Sequence, residues 1–354
     1  VPEPPEPEIA AQPVNVPLVF QYGPTLRSYK QLPVNVGKHP HCHFSLNHPG
    51  VLDMHAQILH AQGQYWVKDL TGRSLVQVNG RPVGLLLGFE LSINPFAFTP
   101  TFMELNKLPL EERRAKLRDP KVREAIISEQ PDLNVHMAAA FARNFAGMYE
   151  MGARPDYEPD PNDNMAARAA RNGTTPEAEA YDAMLNQDGR GVLMLPAVNY
   201  AEGNLEPARE MMQHPHTIYG LGDGGAHLGF LCDASQPTHM LYYWARDRVK
   251  GPRIPLPEVV RGLSAKTAEA VGLRDRGTLT LGAKADINVI DLERVALHSP
   301  HVVYDLPAGG RRLTQDAEGY EATIVSGVVI QRNGKDTGAR PGRLVRGARE
   351  SVRA

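Results

Sequence analysis

The apolar pattern of this 354-residue chain changes twice, and those changes limit the folds open to it. Residues 18 to about 83 carry short strand-like segments: Leu18–Tyr22, Leu32–Val36, Ala56–His60, Tyr65–Leu70 and Leu75–Val78. Turn strings such as HP, NHPG and VNGRP separate them at short, regular spacing, which predicts a β-sandwich. After about residue 105, helical segments begin to alternate with apolar strands, the mark of an α/β architecture. PLEERRAKLRDPKVREAIISE starts with Glu111 and Glu112 and continues with basic residues, an order that suits the helix dipole. NVHMAAAFARNFAGMYEMG reads as a helix, or a helix joined to a strand. In TTPEAEAYDAMLNQDG, Thr175 can cap a helix, Pro176 can take its first turn and Gly189 lies just past its end. VLMLPAV is a buried-strand candidate, whereas NLEPAREMMQH, THMLYYWARDR and PLPEVVRGLS read as helices. SAKTAEAVGL adds another, with Ser264 as cap and Gly272 as stop. From Arg276 onward the pattern returns to β in GTLTLGAKADINVIDLERV and EATIVSGVVIQRNGK.

The expected class is therefore multidomain, β plus α/β. The expected parts are a linker over 1–17, a β-sandwich over 18–83, an α/β region over 84–275, and a β segment with tail over 276–354. The junction between the second and third parts stays open between 71 and 105. The linker, VPEPPEPEIAAQPVNVP, holds six prolines and three glutamates, a composition that favours a stiff extended chain over a packed core. A net charge of −2 gives no general pull toward nucleic acid or anionic membrane, and neither is expected as a partner. No apolar run approaches the roughly 18–20 residues that span a bilayer. The two cysteines, Cys42 and Cys232, lie far apart, which argues against a disulfide framework and fits a reducing, cytoplasmic compartment. The chain begins at Val1 rather than Met, and the sequence-based expectation is a fragment with something upstream.

The densest chemistry lies in TIYGLGDGGAHLGFLCDASQPT. An apolar strand, Thr217 to Tyr219, leads into a glycine-rich turn carrying Asp223 and His227. Glycines there let the backbone come close to an ion or substrate. A carboxylate at the C-terminal mouth of a strand is where α/β barrels keep their chemistry. Taken alone, residues Gly220–His227 fit a capped tight turn equally well.

Residues VGKHPHCHFSLNHPGVLDMHAQILHAQGQYWVKDLTGRSLVQVNGRPV resemble a forkhead-associated (FHA) domain, a β-sandwich that binds phosphothreonine peptides. The landmarks are Gly37-Lys38, His55 in MHAQI, the YWVKDL strand and the VNGRPV turn. The resemblance implies that Lys38, His55 and Ser74 face a phosphopeptide or protein partner. Three recognition positions depart from the family pattern. Lys38 replaces an arginine and loses bidentate geometry, Leu52 replaces a serine, and Ser74-Leu75 replaces an Asn-Gly pair. A degenerate packing or docking module is the competing reading. His39, His41 and His43 alternate and could face a metal, but solvated loop histidines account for them more simply.

From about Gln77 to the end, the chain resembles the C-terminal part of N-acyl-D-amino-acid deacylases of the amidohydrolase superfamily. GLLLGFELSINPF, EAYDAML, GLGDGGAHLGFLCDASQPTHMLYYWARDR and YDLPAGGRRLTQDAEGY carry the likeness in order and spacing. The resemblance implies a partial (β/α)₈ barrel with a C-terminal β segment, bound zinc, and hydrolysis of N-acyl-D-amino acids. It makes Asp223 both a metal ligand and the acid that accepts a proton from water and passes it to the leaving amine. His227, Asp233 and Arg246 would line the substrate pocket, although turn stabilisation by His227 and pairing of Arg246 with Asp247 compete with that role. The superfamily's His-x-His metal motif has no counterpart on a barrel strand. His41-Cys42-His43 has the spacing but sits in the FHA-like block, and His136, His214 and His216 are not at recognisable ligand positions. Three readings thus remain open: a zinc hydrolase of N-acyl-D-amino acids, a partner-binding module, and a chain of hydrolase ancestry without activity of its own.

Overall fold

The computed structural model describes residues 12–22, 25–47, 51–61, 64–70, 76–131, 141–220 and 227–345. The chain divides into two compact units, Val1–Val76 with Pro215–Thr217, and Gln77–His214 with Ile218–Ala354.

In the first unit β1 (Gln12–Tyr22) pairs antiparallel with β2 (Thr25–Leu32). A second sheet has the order β4-β3-β5-β6, from β3 (Val34–Gly37), β4 (Phe44–Ser45), β5 (Ala56–Ala61) and β6 (Gln64–Asp69). The core of this unit is Val14, Leu32, Val34, Val36, Phe44 and Ile58, with Phe20 stacked on Phe44 at 5.1 Å. Two expectations change here. β1 starts at Gln12, inside the stretch read as linker, and its register slips between Pro13 and Leu18. Prolines are tolerated at that position because β1 pairs with a single neighbour, so their missing N–H groups need not enter a ladder. β2 was not expected at all. Its side chains are almost all exposed, so no apolar alternation marks it in the sequence.

In the second unit three helices follow the aromatic segment after β8 (Val83–Leu87): α1 (Pro100–Leu105), α2 (Leu110–Leu117) and α3 (Pro120–Ser128). The single long helix read from PLEERRAKLRDPKVREAIISE is thus two. The Asp119 side chain caps α3 by accepting from Lys121 N at 2.9 Å, and Pro120 takes its first turn. Asn164 caps α4 (Met165–Asn172) in the same way, and Gly173 ends it in the left-handed region at φ 66°. α5 (Pro176–Gly189) begins as expected, with Thr175 Oγ1 accepting from Ala178 N; its backbone leaves helical geometry at Asn186. Leu87, Phe89, Phe96, Phe102, Tyr181, Met184 and Leu193 lie together in the core beneath these helices.

β8, β10 (Leu193–Val198) and β9 (Tyr149–Glu150) form one sheet in the order β8-β10-β9, antiparallel on both sides. This corrects the barrel expectation. Strands and helices do alternate, but β10 is flanked by antiparallel partners, and no closed barrel forms among the described residues. The C-terminal region is β, as its sequence suggests, and its strand pairs are antiparallel. β12 (Ile287–Ile290), β17 (Tyr320–Val325), β18 (Val328–Arg332) and β19 (Lys335–Asp336) make one sheet. β13 (Ala296–Leu297) pairs with β16 (Ala317–Glu318), and β14 (His301–Leu306) with β15 (Gly310–Thr314).

Candidate functional site

Two segments of the second unit meet at a buried polar cluster. One is the turn Asn79-Gly80-Arg81, which follows β7 (Val76–Val78). The other runs from His227 through α7 (Gln236–His239), after which the backbone widens to π geometry over Met240–Asp247. Widened helical turns of this kind recur at functional sites. The Trp244 indole N–H donates to the Gly80 carbonyl at 2.6 Å, locking turn to helix. A Cβ on Gly80 would lie 2.2 Å from Met240 Sδ, so glycine permits this close approach.

Arg81 is 1% exposed. Its guanidinium donates to Ser235 Oγ at 3.0 Å, to the Cys232 carbonyl at 2.7 Å and to Asp233 Oδ1 at 3.2 Å, and it lies 4.2 Å above the Tyr157 ring. Gln315 accepts from both the Ser235 and Tyr157 hydroxyls, and its amide donates to the His298 carbonyl at 2.8 Å. His239 is fully buried among Tyr157, Tyr242 and Tyr243, with near-parallel stacking on Tyr243 at 4.8 Å. Burial, and then the charge of Arg81, hold its imidazole well below the ordinary value, so it is neutral at neutral pH. Burial also pushes the Cys232 thiol up to about 11.

Six buried side-chain atoms among the described residues have no hydrogen-bond partner, and five belong to this cluster. They are both amide atoms of Asn79, Arg81 Nε, Gln236 Nε2 and His239 Nε2. A buried polar atom without a partner costs about 1–3 kcal/mol. Five of them on one turn and one helical turn mark the place where packing has been subordinated to something else. Because Asp233 balances Arg81 and His239 is neutral, the cluster carries no net charge. It offers N–H donors (Arg81, Asn79, Gln236) beside a carbonyl acceptor (Asn79), a complement to a neutral amide.

Asp223 and Ser74 lie outside the described residues. Asp233 belongs to the cluster. His227 does not: it is exposed, adopts φ 54°, and its carbonyl accepts from Phe230 N and Leu231 N at 3.0 Å each, so it shapes the turn. Arg246 is occupied elsewhere, bonding both carboxylate oxygens of Asp247 and the carbonyls of Leu292, Glu293 and Val295. In the first unit, His55 Nδ1 accepts from Leu52 N at 3.2 Å, and the Lys38 side chain is exposed. His43 Nδ1 accepts from Asn35 N at 3.0 Å and His39 Nδ1 from His41 N at 3.3 Å, so both rings serve their own loop. Among the described residues no three His, Cys, Asp or Glu side chains are grouped to hold a metal ion. Asp233 is committed to Arg81, and Cys232 keeps its proton. These residues do not fit zinc. Arg81 lies in VNGRPV and His239 in THMLYYWARDR, but what singles them out is burial, a tertiary property that no local pattern carries.

A family model described as the amidohydrolase family matches residues 30–331. The chain belongs to the amidohydrolase family. That match includes most of the block whose sequence resembles an FHA domain. No curated protein matches the chain. Among solved structures, the chain is similar to a D-aminoacylase mutant in complex with copper chloride, at 19% identity and a TM-score of 0.31, covering 56% of this chain. A D-aminoacylase crystal structure described as defining a novel subset of amidohydrolases is similar at 21% identity and a TM-score of 0.30, covering 55%. The chain spans 37% of the length of each of these proteins. No helix among the described residues is long and apolar enough to cross a membrane.

Proposed function

We propose that this chain acts in hydrolysis of the amide C–N bond of N-acyl-D-amino acids, giving a carboxylate and a free D-amino acid. The observation that supports this reading is the family match over residues 30–331, a range that includes the Asp223 turn and the Asp233–Arg81 cluster. In the proposal Asp223 accepts a proton from the attacking water and returns it to the departing amine. The neutral donor–acceptor set of Asn79, Arg81, Gln236 and His239 suits an uncharged amide, and Asp233 keeps Arg81 from demanding an anion. Zinc enters the proposal as the ion the sequence resemblance implies. Since the described residues do not supply its ligands, any further ligand besides Asp223 must come from outside them. The test is release of free amine from N-acetyl-D- and N-acetyl-L-amino acids with zinc supplied. Turnover restricted to the D series is expected; equal turnover of both series would overturn the assignment.

A second reading concerns the first unit, as an FHA-like docking module. It is favoured by His55, whose ring nitrogen holds the Leu52 backbone next to the exposed Lys38. Phosphothreonine peptides should then bind more tightly than unphosphorylated ones and lose that preference in Lys38→Ala. Equal binding of the two peptides would rule it out.

A further inference from the structure

The C-terminal β segment reaches the amide cluster through Gln315, a half-buried residue between β15 and β16 and far from Arg81 in sequence. Its Nε2 donates to the His298 carbonyl at 2.8 Å. A carbonyl oxygen can only accept, so this bond fixes which way round the Gln315 amide lies and turns Oε1 toward the cluster. Oε1 accepts there from the Tyr157 hydroxyl at 3.1 Å and from the Ser235 hydroxyl.

Both of those partners hold Arg81. A serine hydroxyl has one hydrogen. With that hydrogen committed to Gln315, Ser235 Oγ meets Arg81 with its lone pairs and accepts from Nη1 at 3.0 Å. Tyr157, anchored at its hydroxyl, lays its ring 4.2 Å from the guanidinium carbon. Nη2 is held separately, by the Cys232 carbonyl and Asp233. Nε is the guanidinium nitrogen left buried without a partner. A planar fork fixed at both Nη atoms loses little freedom when Nε donates to a ligand, which is how preorganisation adds affinity.

We propose that Gln315 is a positioning residue of this cluster. By fixing the Ser235 hydroxyl as an acceptor and the Tyr157 ring as a platform, it presents Arg81 Nε to the carbonyl oxygen of a bound amide. This role rests on the reading of the cluster as an amide site. The test labels the arginines of the whole chain isotopically and follows the Arg81 Nε–H resonance by NMR, identified by its loss in Arg81→Lys. In the parent that resonance should exchange slowly with water and move saturably as acetamide is added. Gln315→Met keeps the side-chain length and removes both polar atoms. In that variant the resonance should exchange faster before any amide is added, and acetamide affinity should fall about fivefold, the equivalent of one lost hydrogen bond. Gln315→Glu keeps an oxygen for Ser235 and Tyr157 and should stay close to the parent. Both variants should melt near the parent temperature, because Gln315 is only half-buried. An unchanged Arg81 resonance and affinity in Gln315→Met would overturn the proposal and leave the amide reading standing. So would an equal loss in both variants, or a loss of affinity matched by a loss of folding. A parent whose Arg81 resonance ignores acetamide would overturn the amide reading, and the role of Gln315 with it.

Discussion

Replacing Arg248 with methionine should destabilise the fold strongly and reverse how its stability responds to pH. Arg248 and Glu158 are both fully buried. The arginine donates to Glu158 Oε2 at 3.0 Å and Oε1 at 3.1 Å, to Glu206 at 3.0 Å and to the Pro252 carbonyl at 2.8 Å, and it lies 4.6 Å over the Trp244 ring. Burial alone would raise the Glu158 carboxyl. The bonds from Arg248, the Tyr243 hydroxyl and Leu205 N outweigh it and hold the group below its ordinary value of 4.5. A depressed folded-state pKa contributes stability that is present above the unfolded value and is lost as pH falls through the folded one. Without Arg248 the carboxylate remains buried with only Tyr243 and Leu205 as donors, at a cost of about 3–5 kcal/mol near neutral pH. Burial then dominates and raises the Glu158 pKa. The variant should recover part of its stability as pH falls through that raised value, while the parent loses stability below about 4.5. Urea unfolding at pH 7 and pH 5, followed by tryptophan fluorescence, measures both effects. The Glu158→Leu/Arg248→Met double variant should regain most of the loss, because an apolar pair can replace a buried ion pair at little cost. A loss below about 1 kcal/mol in the single variant, or a gap between parent and variant that does not narrow at pH 5, would refute the reasoning.

Gly80→Ala puts a methyl group 2.2 Å from the buried Met240 sulfur and should cost about 1–3 kcal/mol in urea unfolding; an unchanged midpoint would mean the turn is not seated on the helix as described. Asn79→Leu removes two partnerless buried polar atoms, so it should leave stability unchanged or raise it by about 1 kcal/mol while impairing amide turnover. A destabilised variant with unimpaired turnover would speak against the amide cluster. With the Cys232 thiol pushed up to about 11, a Cys42→Ser variant should react slowly with a disulfide reagent at pH 8 and faster with rising pH, or on unfolding in urea. Prompt labelling of the folded chain at pH 8 would contradict that environment.

The parts of this molecule legible in its sequence are those governed by local chemistry. Thr175 followed by Pro176 marks the start of α5, and Asp119 followed by Pro120 marks a helix start that the longer helical pattern obscured. Where side chains lack a face, as in β2, nothing local announces the strand. Alternation of helices and strands indicated α/β, but it does not say which strands pair. The antiparallel placement of β10 between β8 and β9 is a long-range outcome. The site divides along the same line. Asp233 stands out in its motif, and the neighbouring Asp247 made the pairing of Arg246 readable. Arg81 and His239 become candidates only through burial, and burial depends on residues more than a hundred positions away.

The most direct test of the proposed function is amine release from an N-acetyl-D-amino acid with zinc present, comparing the parent chain with Asp223→Asn. Turnover by the parent is expected, and its loss in the variant without a change in folding. Equal turnover by both chains, or none by the parent, would contradict it.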